Sequence, residues 1–256
     1  MSNALVGISP TPVEVPSVVH DLANRLRSGA TVVPVWRNEY GGLTVRLETA
    51  RGGRSSYLKW VPHGAACADP LAEADRLVWA ASFVPVPRVL DVGRDTHGSW
   101  LLTAAVEAGG AVATSAIEPR WRDRAARSAT AIGVGLRRFH DALPTDTCPF
   151  VRTTETRVAP GVPPPVDRLV VCHGDATVPN TLLDRAGRFV AHVDVGDLGV
   201  ADRWSDLAVT TRSVTRRYGP GFEPLVLAAY GVAPDHERTV YYRALWDAEE
   251  SRRRAS

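Results

Sequence analysis

The ten residues from Val171 to Asn180, VCHGDATVPN, form the densest run of special residue types in this 256-residue chain. An apolar stretch, which predicts a strand from Leu169 to Cys172, changes abruptly to His173-Gly174-Asp175. Asn180 follows five residues after the aspartate. Polar groups concentrated directly after an apolar strand make this loop the strongest candidate for a functional site.

A β-hairpin is predicted directly after this loop. Two short stretches, Thr181 to Asp184 and Arg188 to Val193, flank the three-residue turn 185–187. A hairpin returns the chain on itself, so Asn180 before it and Asp194 after it become neighbours. An amide and a carboxylate held together offer the hard oxygen ligands that Mg²⁺ prefers. Each residue taken alone is also consistent with an ordinary turn, because Asp, Asn and Gly favour turns.

A single lysine stands among 30 residues of lysine or arginine type. It is Lys59, in the stretch SSYLKW that begins at Ser55, within a predicted strand over 55–61. A GC-rich codon bias explains the many arginines and allows one lysine to remain anywhere. The alternative is chemical, because an ammonium is a compact point charge that contacts phosphate oxygens and a carboxylate together, whereas guanidinium is a planar fork.

The first part of the chain is predicted to be mostly β-structure with one helix. Residues 43–48 alternate between apolar and polar types, the signal of a half-buried strand. Asp69 can cap a helix to about Ser82, and Pro70 suits its first position. The other predicted strands are 32–35, 55–61, 88–92 and 99–106.

From Glu118 onward the pattern becomes helical. Apolar residues at three- and four-residue steps predict one long helix from Glu118 to Leu143. The residues on this face are Trp121, Ala125, Ser128, Ile132, Leu136 and Phe139. After a proline-rich segment, further helices are predicted at about 205–217, 221–230 and 235–250. The predicted fold class is α+β, with a β-rich N-lobe over 1–105 and a mainly helical C-lobe over 106–256.

Composition excludes several function classes. The net charge is +2, and there is no basic stripe with interleaved aromatics, which argues against nucleic-acid binding. Every apolar run is interrupted well short of the roughly 20 residues of a membrane span. The cysteines, Cys67, Cys148 and Cys172, fit neither a disulfide framework nor a zinc site and favour a reducing cytoplasm. We expect a cytoplasmic monomer or weak dimer that binds neither nucleic acid nor membrane.

These motifs resemble the aminoglycoside phosphotransferase family, especially its 3'-phosphotransferase branch, over roughly residues 30 to 215. His173-Gly174-Asp175 with Asn180 is similar to the catalytic loop of that family, and Asp194 to Asp206 is similar to its metal-binding segment. The resemblance implies a two-lobed, protein-kinase-like fold. His140, in a segment similar to the helix end that precedes the catalytic region, is expected to be structural.

The resemblance also implies roles for five residues. Lys59 would bind the α- and β-phosphates of ATP, with Glu73 holding it from the helix. Asp175 would orient or deprotonate the acceptor hydroxyl, and Asn180 and Asp194 would hold Mg²⁺.

Two backbone segments are expected to contact the nucleotide as well. At the position of the family's hinge, Thr103 and Ala105 would contact adenine through main-chain groups. A glycine turn would cover the phosphates through its N–H groups, although an ordinary hairpin turn accounts for the same glycines. The residues of this turn are Tyr40, Gly41, Gly42, Leu43 and Thr44.

Acceptor recognition departs from the family pattern. The segment from Phe150 to His173 is short and proline-rich, where the family has helices that help to wall the pocket. An ungapped comparison of the C-terminal segment puts Trp246 where an aspartate is expected. The acids that follow are the candidate acceptor-binding residues, and the alternative is a buried helix face with solvated acids opposite. These acids are Asp247, Glu249 and Glu250.

The resulting hypothesis is an ATP-dependent, Mg²⁺-requiring kinase of a small, hydroxylated, cationic substrate. The first candidate acceptor is the 3'-hydroxyl of an aminoglycoside antibiotic. A kinase of streptomycin or of a non-antibiotic metabolite is an alternative that the shortened segment favours. Another alternative is a protein that binds a nucleotide without catalysing phosphate transfer. That alternative does not explain why the complete set of five residues is present.

Overall fold

The computed structural model describes residues 14–49, 54–65, 69–152 and 161–255. Contacts between Cα atoms divide the chain into two compact units. The first contains the described residues up to Asp75 together with Arg88–Ala105. The second contains Arg76–Pro87 and the described residues from Val106 onward. The predicted lobes, 1–105 and 106–256, differ from this division at residues 76–87.

A five-stranded antiparallel sheet is the main feature of the first unit, with the spatial order β1-β2-β3-β5-β4. The elements are α1 Ser17–Leu26, β1 Thr31–Arg37, β2 Leu43–Glu48, β3 Ser56–Pro62, α2 Pro70–Ala80, β4 Val89–Arg94 and β5 Gly98–Ala104. Helix α2 continues past Asp75, so its second half belongs to the second unit. The sequence pattern predicts all five strands to within two residues of these bounds. It gives no prediction for α1.

The two faces of this sheet differ in character. One face packs with α1 into an apolar core formed by Val19, Leu22, Ala23, Leu43, Val45, Leu47, Leu58, Trp60, Trp100 and Leu102. Side chains alternate along a strand, so Thr44, Lys59 and Leu101, which lie in register on β2, β3 and β5, share the other face. The alternation predicted for β2 is therefore confirmed, and it directs Lys59 away from the core.

The second unit is mainly helical and contains three small antiparallel sheets. Its elements are β6 Glu107–Ala108, β7 Ala111–Val112, β8 Thr114–Ser115, α3 Pro119–Arg122, α4 Ala125–Ala142, β9 Leu169–Cys172, β10 Thr181–Leu183, β11 Phe189–His192, β12 Gly199–Asp202, α5 Trp204–Tyr218, α6 Glu223–Tyr230 and α7 His236–Ala255. Strand β6 pairs with β7, β9 with β12, and β10 with both β8 and β11. The predicted strand before the His-Gly-Asp loop, the hairpin after it and the three later helices are confirmed.

The prediction of one continuous helix from Glu118 to Leu143 is wrong, because the chain breaks between α3 and α4. Arg124 leaves the helical backbone region, with φ −120° and ψ 31°. All six residues of the predicted apolar face are nevertheless buried. Their spacing continues across the break, so periodicity alone does not locate it.

Two further expectations concern the cysteines and the membrane. Cys148 and Cys172 are free thiols, and Cys67 lies outside the described residues. Among the helices of the described ranges, none has a stretch long and apolar enough to cross a bilayer.

Candidate active site

Lys59 and Glu73 form an ion pair in the first unit. Helix α2 begins at Pro70, where the Asp69 carboxylate accepts the N–H of Leu71 at 3.1 Å. This places Glu73 in the first turn, with its Oε2 2.5 Å from Nζ of Lys59. The Glu73 side chain is 5% exposed and that of Lys59 24%. A charge-assisted hydrogen bond to a buried carboxylate thus orients the ammonium of a partly exposed side chain.

The glycine turn between β1 and β2 is organised by Asn38. Its Oδ1 accepts the N–H groups of Tyr40 at 3.1 Å and Gly42 at 2.7 Å. The N–H of Gly41 donates to the Asn38 carbonyl at 3.3 Å. The sequence places Asn38 in this turn, but the role of its side chain was not predicted, although asparagine side chains commonly bond the backbone two residues further on. Since all three N–H groups bond within the turn, a phosphate can use them only by displacing Asn38.

The other residues predicted for the nucleotide lie on or beside the sheet. Thr44 is on the same face as the ion pair, whereas the side chain of Leu43 is buried in the opposite core. Thr103 lies near the end of β5. The N–H of Ala105 donates to the Ser55 carbonyl at 3.0 Å, so the carbonyl oxygen is the main-chain group of this residue left for adenine.

In the second unit the chain turns sharply at Gly174 to present Asp175. Gly174 has φ +92°, and a Cβ there would lie 2.3 Å from the carbonyl oxygen of Asp197. Only glycine fits such a position. After one 3-10 turn, Nδ2 of Asn180 donates to the main-chain carbonyl and to Oδ2 of Asp175, both at 2.9 Å. The loop brings these two predicted residues into direct contact.

The hairpin brings Asn180 beside the Asp194 segment. Thr181 pairs with His192, and the N–H of Val193 donates to the Asn180 carbonyl at 3.0 Å. The predicted hairpin is therefore confirmed, and it bonds Asn180 to Val193, the residue directly before Asp194. Asp194 has φ +62° and is the one non-glycine residue with positive φ in the described ranges. Such a costly backbone conformation clusters at functional sites.

His173 links the loop that carries Asp175 to the Asp194 segment. Its Nδ1 accepts the N–H of Asp175 at 3.2 Å, and its Nε2 lies 3.0 Å from the Val193 carbonyl oxygen. Because a carbonyl only accepts, Nε2 carries the proton. Burial lowers the pKa of His173 below its ordinary value, so the ring is neutral at pH 7. The sequence motif names this histidine, but its linking role becomes visible only in the fold.

Asp206, at the start of α5, supports the loop from behind. Its carboxylate accepts the N–H groups of His173 at 2.6 Å and Gly174 at 3.0 Å. It also accepts Nε2–H of His140 at 2.9 Å. Burial alone would raise the pKa of Asp206, but the hydrogen bond from His140 and the nearby charge of Arg152 hold it well below its usual range. The contacts of His140 agree with the expected structural role.

Asp206 also lies close to two other buried side chains that could bind a metal. The possible ligand atoms of His140, Cys172 and Asp206 lie within 4.8 Å of one another. The carboxylate is already occupied by hydrogen-bond donors, and Sγ of Cys172 lies 3.3 Å from the Asp202 carbonyl oxygen. We therefore assign these side chains to loop support and not to a metal.

The three predicted acceptor-binding acids lie on α7 and differ in exposure. Asp247 is 57% exposed and pairs with Arg212 at 2.6 Å. Glu249 is 6% exposed, and its carboxylate lies 3.8 Å from Arg152. Glu250 is partly exposed. Asp247 and Glu250 are thus accessible to a ligand, whereas Glu249 faces the interior.

Comparison with known proteins identifies the family. The family model described as "Phosphotransferase enzyme family" matches residues 34–161 and 158–242, which together make up most of the chain. The chain belongs to this phosphotransferase family.

Relatives of this phosphotransferase carry aminoglycoside-modifying names. An aminoglycoside 3'-phosphotransferase from Streptomyces fradiae is 30% identical over 216 residues, covering 69% of this chain and 78% of the relative. A streptomycin 3''-kinase from Streptomyces griseus is 31% identical over 260 residues, covering 84% of this chain and 90% of the relative.

Solved structures of the family share the fold. An aminoglycoside-3'-phosphotransferase of type VIII has a TM-score of 0.73 and 30% identity, covering 90% of this chain and 97% of that chain. An aminoglycoside phosphotransferase from Streptomyces rimosus, in complex with ADP and streptomycin, has a TM-score of 0.63 and 26% identity, covering 90% of this chain and 98% of that chain. The α+β, protein-kinase-like fold class is confirmed.

Proposed function

We propose that this phosphotransferase uses ATP and Mg²⁺ to phosphorylate a hydroxyl group of an aminoglycoside, with the 3'-hydroxyl as the first candidate. The observation that carries the proposal is the contact of Asp175 with Asn180 beside the hairpin that ends at Asp194. The names of the relatives support the acceptor class. The ADP bound to the Streptomyces rimosus relative supports a nucleotide donor.

Asp175 is the proposed catalytic base. The amide of Asn180 holds its Oδ2 at 2.9 Å, so the carboxylate is oriented before an acceptor arrives. Asp175 would accept the proton of the acceptor hydroxyl as the oxygen forms its bond to the γ-phosphorus and the bond to ADP breaks. Positioning and charge neutralisation, more than covalent chemistry, are what this transfer requires.

Asn180 and Asp194 fit a Mg²⁺ ion. Asn180 directs its amide nitrogen at Asp175, so the amide oxygen is the group left for a ligand. Asp194 adds a carboxylate, and both are hard oxygen donors. When bound, the ion would neutralise the negative charge of the phosphates.

In the first unit, Lys59 would bind the α- and β-phosphates while Glu73 holds it in place. The contact of the partly exposed lysine with a buried carboxylate supports this role. The turn at Tyr40–Thr44 and the main chain at Thr103–Ala105 would complete nucleotide binding. For the acceptor, Asp247 and Glu250 would bind cationic groups of the substrate.

Phosphorylation of a streptomycin-type acceptor is the second candidate. It is favoured by the streptomycin 3''-kinase, which matches more of this chain, 84%, than the 3'-phosphotransferase from Streptomyces fradiae, 69%. The short segment between Phe150 and His173 also leaves fewer residues to wall a pocket.

An acceptor panel with Mg-ATP separates these candidates. Kanamycin, neomycin and streptomycin are incubated with the purified protein, ADP release is followed, and the phosphorylated position is located by NMR. We expect a 3'-phosphorylated kanamycin or neomycin. A product from streptomycin alone would favour the second candidate. Calorimetric binding of Mg-ATP without any product would indicate a nucleotide-binding protein without turnover.

A further inference from the structure

A buried arginine lies behind the catalytic loop. Arg152 is only 8% exposed, and an arginine is rarely buried to this extent unless charged groups are paired with it. Its Nη1 donates to Oγ of Ser205 at 2.9 Å. Nη1 also lies 3.9 Å from Oδ1 of Asp206, and Nη2 lies 3.8 Å from Oε2 of Glu249. One positive charge therefore stands between two buried carboxylates, one on α5 and one on α7.

The backbone around this arginine is also fixed. The N–H of Val200 donates to the Phe150 carbonyl at 3.1 Å, and Val151 forms a parallel bridge with Val200. A Cβ on Gly199 would lie 2.9 Å from the backbone nitrogen of Arg152. Strand β12 and residues 150–152 therefore approach closely only because residue 199 is glycine. Backbone and side-chain contacts together set the position of the guanidinium.

Asp206 connects the arginine to the catalytic loop. The carboxylate that faces Arg152 accepts the N–H groups of His173 and Gly174, the two residues directly before Asp175. Removing one partner of a buried charge cluster leaves the remaining charges uncompensated. Without Arg152, the carboxylates of Asp206 and Glu249 would remain buried without the positive charge between them.

We propose that Arg152 is a positioning residue for the catalytic base. By pairing with Asp206 and Glu249 it fixes α7 to the support of the catalytic loop, and through Asp206 it sets the orientation of Asp175. Glu249 is then part of an internal charge cluster, and acceptor binding is left to Asp247 and Glu250. The kinetic test rests on the proposed function, whereas the structural test below does not.

Arg152→Lys is the main test variant because it keeps the charge but lacks the planar fork that faces both carboxylates. We expect kcat to fall about tenfold, as for other residues that orient a catalytic group from behind, with KM for ATP and acceptor within about twofold of wild type. Arg243→Met is the matched control. Arg243 also joins α7 to its neighbours, and within the described ranges its side-chain hydrogen bonds go to Ala208, Thr211 and Glu223 and not to Asp206 or Glu249.

Hydrogen exchange of the peptide 170–178 gives a readout that needs no turnover. We expect the amides of His173 and Gly174 to exchange about tenfold faster in Arg152→Lys than in wild type, because their acceptor is less firmly held. Arg243→Met should leave them unchanged. Glu249→Gln should shift exchange and kcat in the same direction as Arg152→Lys, and it provides the test if substitutions at Arg152 prevent folding.

Three results would overturn the proposal. They are unchanged exchange at His173 and Gly174, a fall in kcat no larger than that of Arg243→Met, and a raised KM for the acceptor with normal kcat, which would place Arg152 in substrate binding. If wild-type protein phosphorylates no acceptor, the proposed function fails, and the exchange experiment still decides the role of Arg152.

Discussion

A hydrogen-bonded neighbour orients the side chain of Asp175, and another orients that of Lys59. Asn180 contacts the carboxylate of Asp175 at 2.9 Å, and Glu73 contacts the ammonium of Lys59 at 2.5 Å. A charged group that is already oriented needs little reorganisation when its substrate binds, and this favours the transition state. The identity of each neighbour therefore matters as much as the identity of the charged group.

Substitution of Lys59 by arginine should preserve the fold and weaken ATP use. A guanidinium is wider and planar, so it cannot keep the contact with Glu73 and present the same point charge to phosphate. Loss of one charge-assisted hydrogen bond, about 1.5–3 kcal/mol, corresponds to roughly a 10- to 100-fold fall in kcat/KM for ATP. Steady-state kinetics at varied ATP measure this fall.

Arg188→Lys is the control for this substitution. Arg188 pairs with Asp184 at 2.7 Å on the hairpin turn and is 77% exposed, and exposed pairs contribute little. Its ATP kinetics should match those of wild type. Near-normal kcat/KM in Lys59→Arg would leave codon bias as the explanation for the single lysine.

Burial of the His192 ring predicts that the free energy of unfolding depends on pH. Its ring packs against those of Phe139, Phe189 and His173, and burial lowers its pKa from 6.5 to about 3. As the pH falls, His192 takes up its proton near pH 6.5 in the unfolded chain but only near pH 3 in the folded chain. The contribution of the neutral ring is therefore fully present above pH 6.5 and is lost as the pH falls towards 3.

Urea unfolding at about pH 7.5 and about pH 5 tests this pH dependence. We expect His192→Phe to lose less unfolding free energy than wild type between the two values, since phenylalanine cannot be protonated. Equal losses in the two proteins would mean that His192 does not contribute to the acid sensitivity.

Local sequence signals predict most of the secondary-structure elements. The alternation in β2, the Asp69 cap of α2 and the hairpin after Asn180 depend on neighbouring residues, and the structure follows them. The N-cap residue of α1 is Pro16, whose side chain cannot accept a hydrogen bond, so this helix lacks the usual start signal. The break at Arg124 does not interrupt the apolar spacing.

The support of the candidate site is less visible in the sequence than its chemistry. A motif identifies Asp175 and Asn180 because they lie on one loop. Arg152 and Asp206 lie far from them in the chain, and only the pairing of β9 with β12 and the packing of α5 bring them together. Contacts made in this way cannot be derived from residue types and spacing alone.

Gly174 and Gly219 allow the steric requirement of the loop to be separated from backbone strain. Both have positive φ, +92° and +96°, but a Cβ on Gly174 would lie 2.3 Å from a carbonyl oxygen, whereas on Gly219 it would meet nothing within 4 Å. Gly219→Ala should cost about 1–3 kcal/mol of unfolding free energy from the backbone alone. Gly174→Ala should cost more and should also lower kcat, because the clash displaces Asp175.

Urea unfolding and steady-state kinetics of the two variants provide the comparison. Equal losses of stability, together with unchanged kcat in Gly174→Ala, would contradict the requirement for glycine at the turn before Asp175.

At the scale of the whole molecule, solved structures that share the fold over 90% of this chain are named for different acceptors. The 3'-phosphotransferase and the streptomycin 3''-kinase are about equally identical to this chain, 30% and 31%. A fold supports many acceptors, and local groups determine which one binds. In this chain the groups that we propose for this choice are the accessible acids of α7 and the short segment after Phe150.

Incubation of the purified protein with Mg-ATP and kanamycin, followed by NMR of the product, determines whether Asp175 is the catalytic base of an aminoglycoside phosphotransferase. We predict a phosphate ester on the 3'-hydroxyl, with ADP formed in equal amount. We predict a rate at least about 100-fold lower for Asp175→Asn, because a general base contributes by that order, with Mg-ATP binding retained. Absence of a phosphorylated product from kanamycin, or an undiminished rate for Asp175→Asn, would contradict this function.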